Sequence, residues 1–116
     1  ALASLRANVA SCGAGCRARV IEADATRPPP GTPCALVFLD PPYREGLAER
    51  ALPALAHAGW LAPAALLVVE TARDETAALP GTPLAERTHG AARLHVLRLA
   101  DACSVIRNTC DPRFPR

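Results

Sequence analysis

"ALVFLDPPYREGL", residues 35–47, decides how this chain is read. An apolar run from Cys34 to Leu39 ends on Asp40, and two prolines and an aromatic ring, Tyr43, follow at once. A run that is apolar at every position marks a parallel strand covered on both faces, because a half-exposed strand would alternate. Pro41 and Pro42 stop it, since proline has no N–H to give to a ladder. Ligands of open α/β sheets sit beyond the carboxyl ends of their strands, so a carboxylate at that end is a candidate site.

Downstream, residues 45–58 predict a helix with Leu47, Ala51 and Leu55 on one face and Leu52 beside it. Pro53 is expected to kink it or shift its start, and Gly59 to end it before Trp60. "AALLVVE", residues 64–70, predicts a second buried strand, again ending on an acid, Glu70. "PLAERTHGAARLHVLRLA", residues 83–100, predicts a hairpin turning at His89-Gly90-Ala91. Upstream, Leu2, Leu5 and Val9 recur at helical spacing over residues 1–11, with Gly13 as a C-cap. "RARVIEADA" predicts a short strand at 18–23 running into Asp24, and "TRPPPGTP", residues 26–33, a loop. Strands alternating with helices predict an α/β layered sheet. Asp24, Asp40 and Glu70 would then share one rim.

The composition supports one domain at most, with a core thin in rings, since aromatic residues are 3% of the chain. Residues 1–100 are expected to form it and residues 101–116 an irregular tail. A net charge of +2 is too small to signal nucleic acid by itself. All side-chain cations other than histidine are arginine, whose planar fork suits phosphate. No methionine occurs, so Ala1 is expected not to be a natural start and the chain to be part of a longer one. No run of about 18 apolar residues suggests a membrane span, and the cytoplasm is the expected location. The odd set of five cysteines contains no CxxC pair. They are expected to be free thiols packed as small apolar groups, and no metal site is expected.

The tetrad Asp40-Pro41-Pro42-Tyr43 suits a particular chemistry. An exocyclic amine on a base is a poor nucleophile, because its lone pair is delocalised into the ring. Two acceptors on its two N–H bonds draw that pair out of conjugation. The Asp40 carboxylate is one and the Pro41 carbonyl the other, held still by Pro42. Tyr43 can stack on the base, a contact worth about 1–3 kcal/mol. With a sulfonium methyl donor attacked in line, positioning carries the catalysis. A strand-ending Asp-Pro turn is the plainer account of the same residues.

"FLDPPYREGL" and "ALPALAHAGWLAPAALLVVE" together resemble the bacterial small-subunit (16S) ribosomal RNA guanine-N2 methyltransferases of the RsmD type. "LRANVA", "RVIEADA" and the hairpin extend the resemblance over residues 1–100. It implies a partial class I, Rossmann-like sheet dependent on S-adenosylmethionine, with a C-terminal β-hairpin. Asp40, Pro41, Pro42 and Tyr43 would be the catalytic loop. Asp24, Ala25 and Asp40 would bind the cofactor, and Arg44 is the best candidate for a phosphate of ribosomal RNA, with Arg73 and Arg93 behind it. The tetrad by itself is shared with DNA adenine-N6 methyltransferases, which is the alternative within this chemistry.

The chain departs from that pattern in one respect. The family's acidic, glycine-rich cofactor loop after its first strand, and the acid ending its second, have no counterpart here. Gly13-Ala14-Gly15 follows a helix and precedes a strand, the reverse of what a cradling loop needs. With the first two strands absent, the sheet would lack its centre, between the strands at 18–23 and 35–40. Weak cofactor binding and self-association through exposed strand edges are expected. A remnant or interaction module without catalysis is the competing reading. His89 and His95 are expected at the surface, Trp60 in the core, and Glu70 either in the site or in a loop.

Overall fold

The structure is a computed structural model and describes residues 2–100. The expected tail at 101–116, with Cys103 and Cys110, lies outside the described residues. The chain order is α1 (Leu2–Ser11), β1 (Cys34–Leu39), α2 (Leu47–Ala58), β2 (Leu61–Ala72), β3 (Thr82–His89) and β4 (Ala92–Arg98). The four strands form one sheet in the order β1-β2-β4-β3.

The run at 34–39 is a strand, and it pairs in parallel with β2 through Leu36↔Leu66, Val37↔Leu67, Phe38↔Val68 and Leu39↔Val69. A parallel pair needs a long crossover, and α2 supplies it. β2 then pairs antiparallel with β4, and β4 with β3 through the expected hairpin, whose turn residue Gly90 has φ 58°. β2 begins earlier than the sequence implied, because Pro63 and the left-handed Ala64 (φ 59°) accommodate an irregularity between Cys34 and Leu36.

α2 packs on one face of the sheet. Its buried stripe is Ala48, Leu52 and Ala56, with Ala51 and Pro53 beside it. That stripe lies one position over from the Leu47–Ala51–Leu55 face expected from the sequence. Opposite it, Ala65, Leu67 and Val69 of β2 are fully buried, joined by Leu97 and Leu99. Burying one leucine side chain stabilises by about 1.5–3 kcal/mol, so this small cluster is the main cohesive element. Pro53 sits inside the helix, which starts at Leu47 rather than at residue 45, at the loss of one backbone hydrogen bond. Gly59 ends α2 with φ 92°: its N–H reaches the Ala56 carbonyl and that of Trp60 reaches Leu55.

The opposite side of β1 is open. Leu36 is 51% exposed and Phe38 69%. α1 forms as expected and Gly13 caps it at φ 65°, yet none of its residues is buried.

Two expectations are corrected. Residues 18–23 form no strand. An extended segment persists only where its backbone groups find a ladder partner, and no described strand lies beside this one. Cys12 and Cys16 are exposed rather than packed, and among the described residues only Cys34 is partly covered.

Candidate functional site

The parallel register builds the site. Leu39 and Val69 are partners, so the next residue on each strand, Asp40 and Glu70, emerges side by side at the carboxyl rim. Parallel neighbours lie about 4.8 Å apart, which brings the two carboxyls together. The nearness of Asp40 raises the Glu70 pKa above its ordinary value, and partial burial adds to it. Partial burial raises the Tyr43 pKa, and the Glu70 carboxylate reinforces the shift.

Tyr43 is half-buried, while Asp40 and Pro42 are exposed and Pro41 partly so. The backbone turns immediately after the ring, at Arg44, which sits in the left-handed region at φ 63°. Such a conformation in a non-glycine residue costs of order 1–3 kcal/mol and persists where its surroundings fix it. Here the Arg44 N–H donates to Glu75 Oε1, and its guanidinium meets Asp74 Oδ1 at 2.5 Å. Arg44 in turn holds the Asp74 carboxyl below the usual range. Sequence reasoning did not single out Asp74 and Glu75. The available signal was their position, directly after a strand that ends at the rim.

Asp24 and Ala25 come to the same place from the other side. With Thr26, Phe38, Leu39, Asp40, Pro41 and Pro42 they line a cleft of about 270 Å³, floored by α2. The Asp24 Oδ1 accepts from the Thr26 N–H at 2.9 Å and from its hydroxyl at 2.7 Å. These bonds hold the Asp24 carboxyl below its ordinary value. The structure therefore unites Asp24, Ala25 and Asp40 although no strand carries Asp24 there. The loop before β1 does so, pinned by the Trp60 Nε1–H donating to the Pro29 carbonyl at 2.8 Å. Trp60 is thus half-covered and anchors that loop rather than filling the core.

The remaining candidates lie elsewhere. His89 is exposed as expected. His95 is a correction: its side chain is 16% exposed and its Nε2 lies 3.0 Å from Thr71 Oγ1, facing the buried side of β2. Arg93 points to the hairpin, its Nε 3.4 Å from Glu86 Oε1. Arg73 is exposed near the hairpin turn, its N–H bonded to the Ala91 carbonyl. Among the described residues no group of three or more His, Cys, Asp or Glu is arranged to hold a metal ion. No helix there is long and apolar enough to cross a membrane.

The chain is similar to known proteins in sequence and in fold. The chain is 44% identical over 66 residues to ribosomal RNA small subunit methyltransferase D of Escherichia coli K12, a match covering 55% of this chain and 33% of that protein. It is 46% identical over 57 residues to the Haemophilus influenzae protein of the same name, covering 47% and 30% respectively. The matches thus span about a third of these relatives. A Haemophilus influenzae crystal structure described as a methylase superposes with TM-score 0.71 at 28% identity, covering 86% of this chain and 66% of that one. An Escherichia coli structure described as a methyltransferase gives 0.70 at 33% identity, covering 84% and 55%. The sheet is that of a class I methyltransferase-like fold. The model of the conserved hypothetical protein 95 family matches residues 1–98, and the chain belongs to that family as a segment of RsmD type.

Proposed function

We propose that this chain carries the base-methylating site of an S-adenosylmethionine-dependent enzyme, acting on guanine N2 of small-subunit ribosomal RNA. One observation carries the reading: Asp40-Pro41-Pro42-Tyr43 stands at a parallel strand's carboxyl end, in one cleft with Asp24 and Ala25. The names of the relatives favour ribosomal RNA over DNA as the acceptor.

The residues fit the donor in part. S-adenosylmethionine joins a flat adenine ring to a positively charged sulfonium. Phe38, Leu39 and Ala25 offer apolar walls, and Asp24 and Asp40 offer negative charge. A cleft of about 270 Å³ is smaller than the roughly 300–1,000 Å³ of most ligand sites, so it would receive one portion of the molecule. When bound, the donor supplies an electrophilic methyl group. Asp40 accepts one N–H of the base amine, and the Pro41 carbonyl accepts the other. Both bonds pull the nitrogen lone pair out of conjugation. Tyr43 stacks on the base. The base must already be single-stranded, or leave its stack, to reach this rim.

Asp40→Ala in the full chain tests the reading. The expected outcome is loss of methyl transfer to small ribosomal subunits by at least about 100-fold. Activity at the unsubstituted level would refute the assignment. Guanine against adenine, and RNA against DNA, as acceptors separate the two methylation chemistries.

A second reading is favoured by the open side of β1 and the unburied α1. Under it, the chain is a target-base platform without a competent donor site. Calorimetric titration with S-adenosylmethionine decides between them, saturable binding favouring the first.

A further inference from the structure

Methylation of an amine leaves a proton to be disposed of. The amine nitrogen forms a bond to the methyl carbon as the carbon–sulfur bond breaks, and the electron pair of that bond stays on sulfur. The nitrogen then carries one proton too many, and a neutral product requires its loss. Asp40 is placed to take it, but Asp40 does not stand alone. We propose that Glu70 is a positioning residue of this site, which holds Asp40 and the Tyr43 hydroxyl from the neighbouring strand and receives, through Asp40, the proton released by methylation.

The register carries this inference, which rests on the methylation reading above. Asp40 and Glu70 follow the partner pair Leu39↔Val69, so they share one face of the sheet and one end of it. Two carboxyls side by side at one end of the sheet are placed to pass a proton from one to the other. A carboxylate whose affinity for protons is raised toward neutrality is the better acceptor at working pH. The groups around Glu70 are few. From the segment after β1, Asp40 and Tyr43 act on it electrostatically. From the connection after β2, Glu75 acts on Tyr43 electrostatically, while Asp74 occupies the Arg44 guanidinium. On β4 its partner is Leu94, which has no charge. The proton thus passes from the amine to Asp40, then to Glu70, and on to water.

The chain has a single tyrosine, so an ultraviolet pH titration reads Tyr43 alone. Glu70→Gln in the full chain removes a negative charge beside that hydroxyl and should lower its midpoint, while Glu70→Asp should keep it raised. An unmoved midpoint in Glu70→Gln overturns the proposed contact, whether or not methylation is the reaction. The second measurement is single-turnover methyl transfer to unmodified small ribosomal subunits across pH. Glu70→Gln should lower the rate about 100-fold, with KM unchanged and the acid limb of the profile displaced, and Glu70→Asp should recover most of it. Transfer by Glu70→Gln with the original rate and profile overturns the proton role. An unsubstituted chain without transfer overturns the methylation reading and the proton role together, and in that case the tyrosine titration still judges the contact.

Discussion

Under the proposed function, Tyr43 is the residue on which target binding turns. Its ring is half-buried at the carboxyl rim, so part of its surface is already ordered before a base arrives. Stacking of that kind is worth about 1–3 kcal/mol. Tyr43→Ala should therefore raise the KM for RNA by roughly ten- to hundred-fold, whereas Tyr43→Phe should leave it nearly unchanged; steady-state kinetics with both variants checks this. The neighbouring Arg44–Asp74 pair makes a separate prediction. Arg44 lowers the Asp74 pKa from 3.8, so the pair supports the fold above that value and its support is lost as pH falls through the lowered one. Melting curves of Asp74→Asn and the unsubstituted chain should differ at neutral pH and converge in strong acid. The difference should also shrink in high salt, because both side chains are exposed. If a phosphate binds Arg44, it must compete with Asp74 for the guanidinium.

At the scale of elements, the unit that matters is β1-α2-β2 with the proline-rich loop before it. That loop is held by Trp60, and Gly31 lies beneath the indole. A Cβ at Gly31 would come within 2.0 Å of the ring. Gly31→Ala should displace Trp60, cost about 1–3 kcal/mol by overpacking, and loosen the loop that delivers Asp24 and Ala25. Fluorescence of Trp60, the single tryptophan, would report the movement directly. At this scale the sequence was informative wherever the signal was contiguous. Residues 34–43 declared strand, stop and chemistry within ten positions. The hairpin was equally plain, because two strand-like runs flank one glycine turn. Residues 18–23 misled because Val20 and Ile21 have the local preference of a strand, and preference without a neighbouring ladder does not make one. His95 misled for a related reason: its cover comes from Thr71, on a different strand. Asp74, Glu75 and the role of Glu70 were not legible, since each depends on which strand lies beside which.

For the whole molecule, the unfinished edge is the dominant fact. β1 is an edge strand whose Leu36 and Phe38 lie exposed on the sheet face opposite α2, and unpaired strand edges recruit other chains. The isolated chain should sediment with a mass that rises with concentration. Leu36→Lys should suppress this, because a charge on an edge strand opposes pairing. A chain that remains monomeric at high concentration without that substitution would show the edge to be closed by other means.

The clasp between the Arg44 turn and Glu75 joins positions 31 apart in the chain. During synthesis the tetrad therefore leaves the ribosome well before the residues that fix its geometry. Until β2 has been made and laid beside β1, Asp40 has no Glu70 next to it and Arg44 has no carboxylate to hold its turn. A growing chain, or a short peptide bearing only the motif, thus has the letters of the site without its shape.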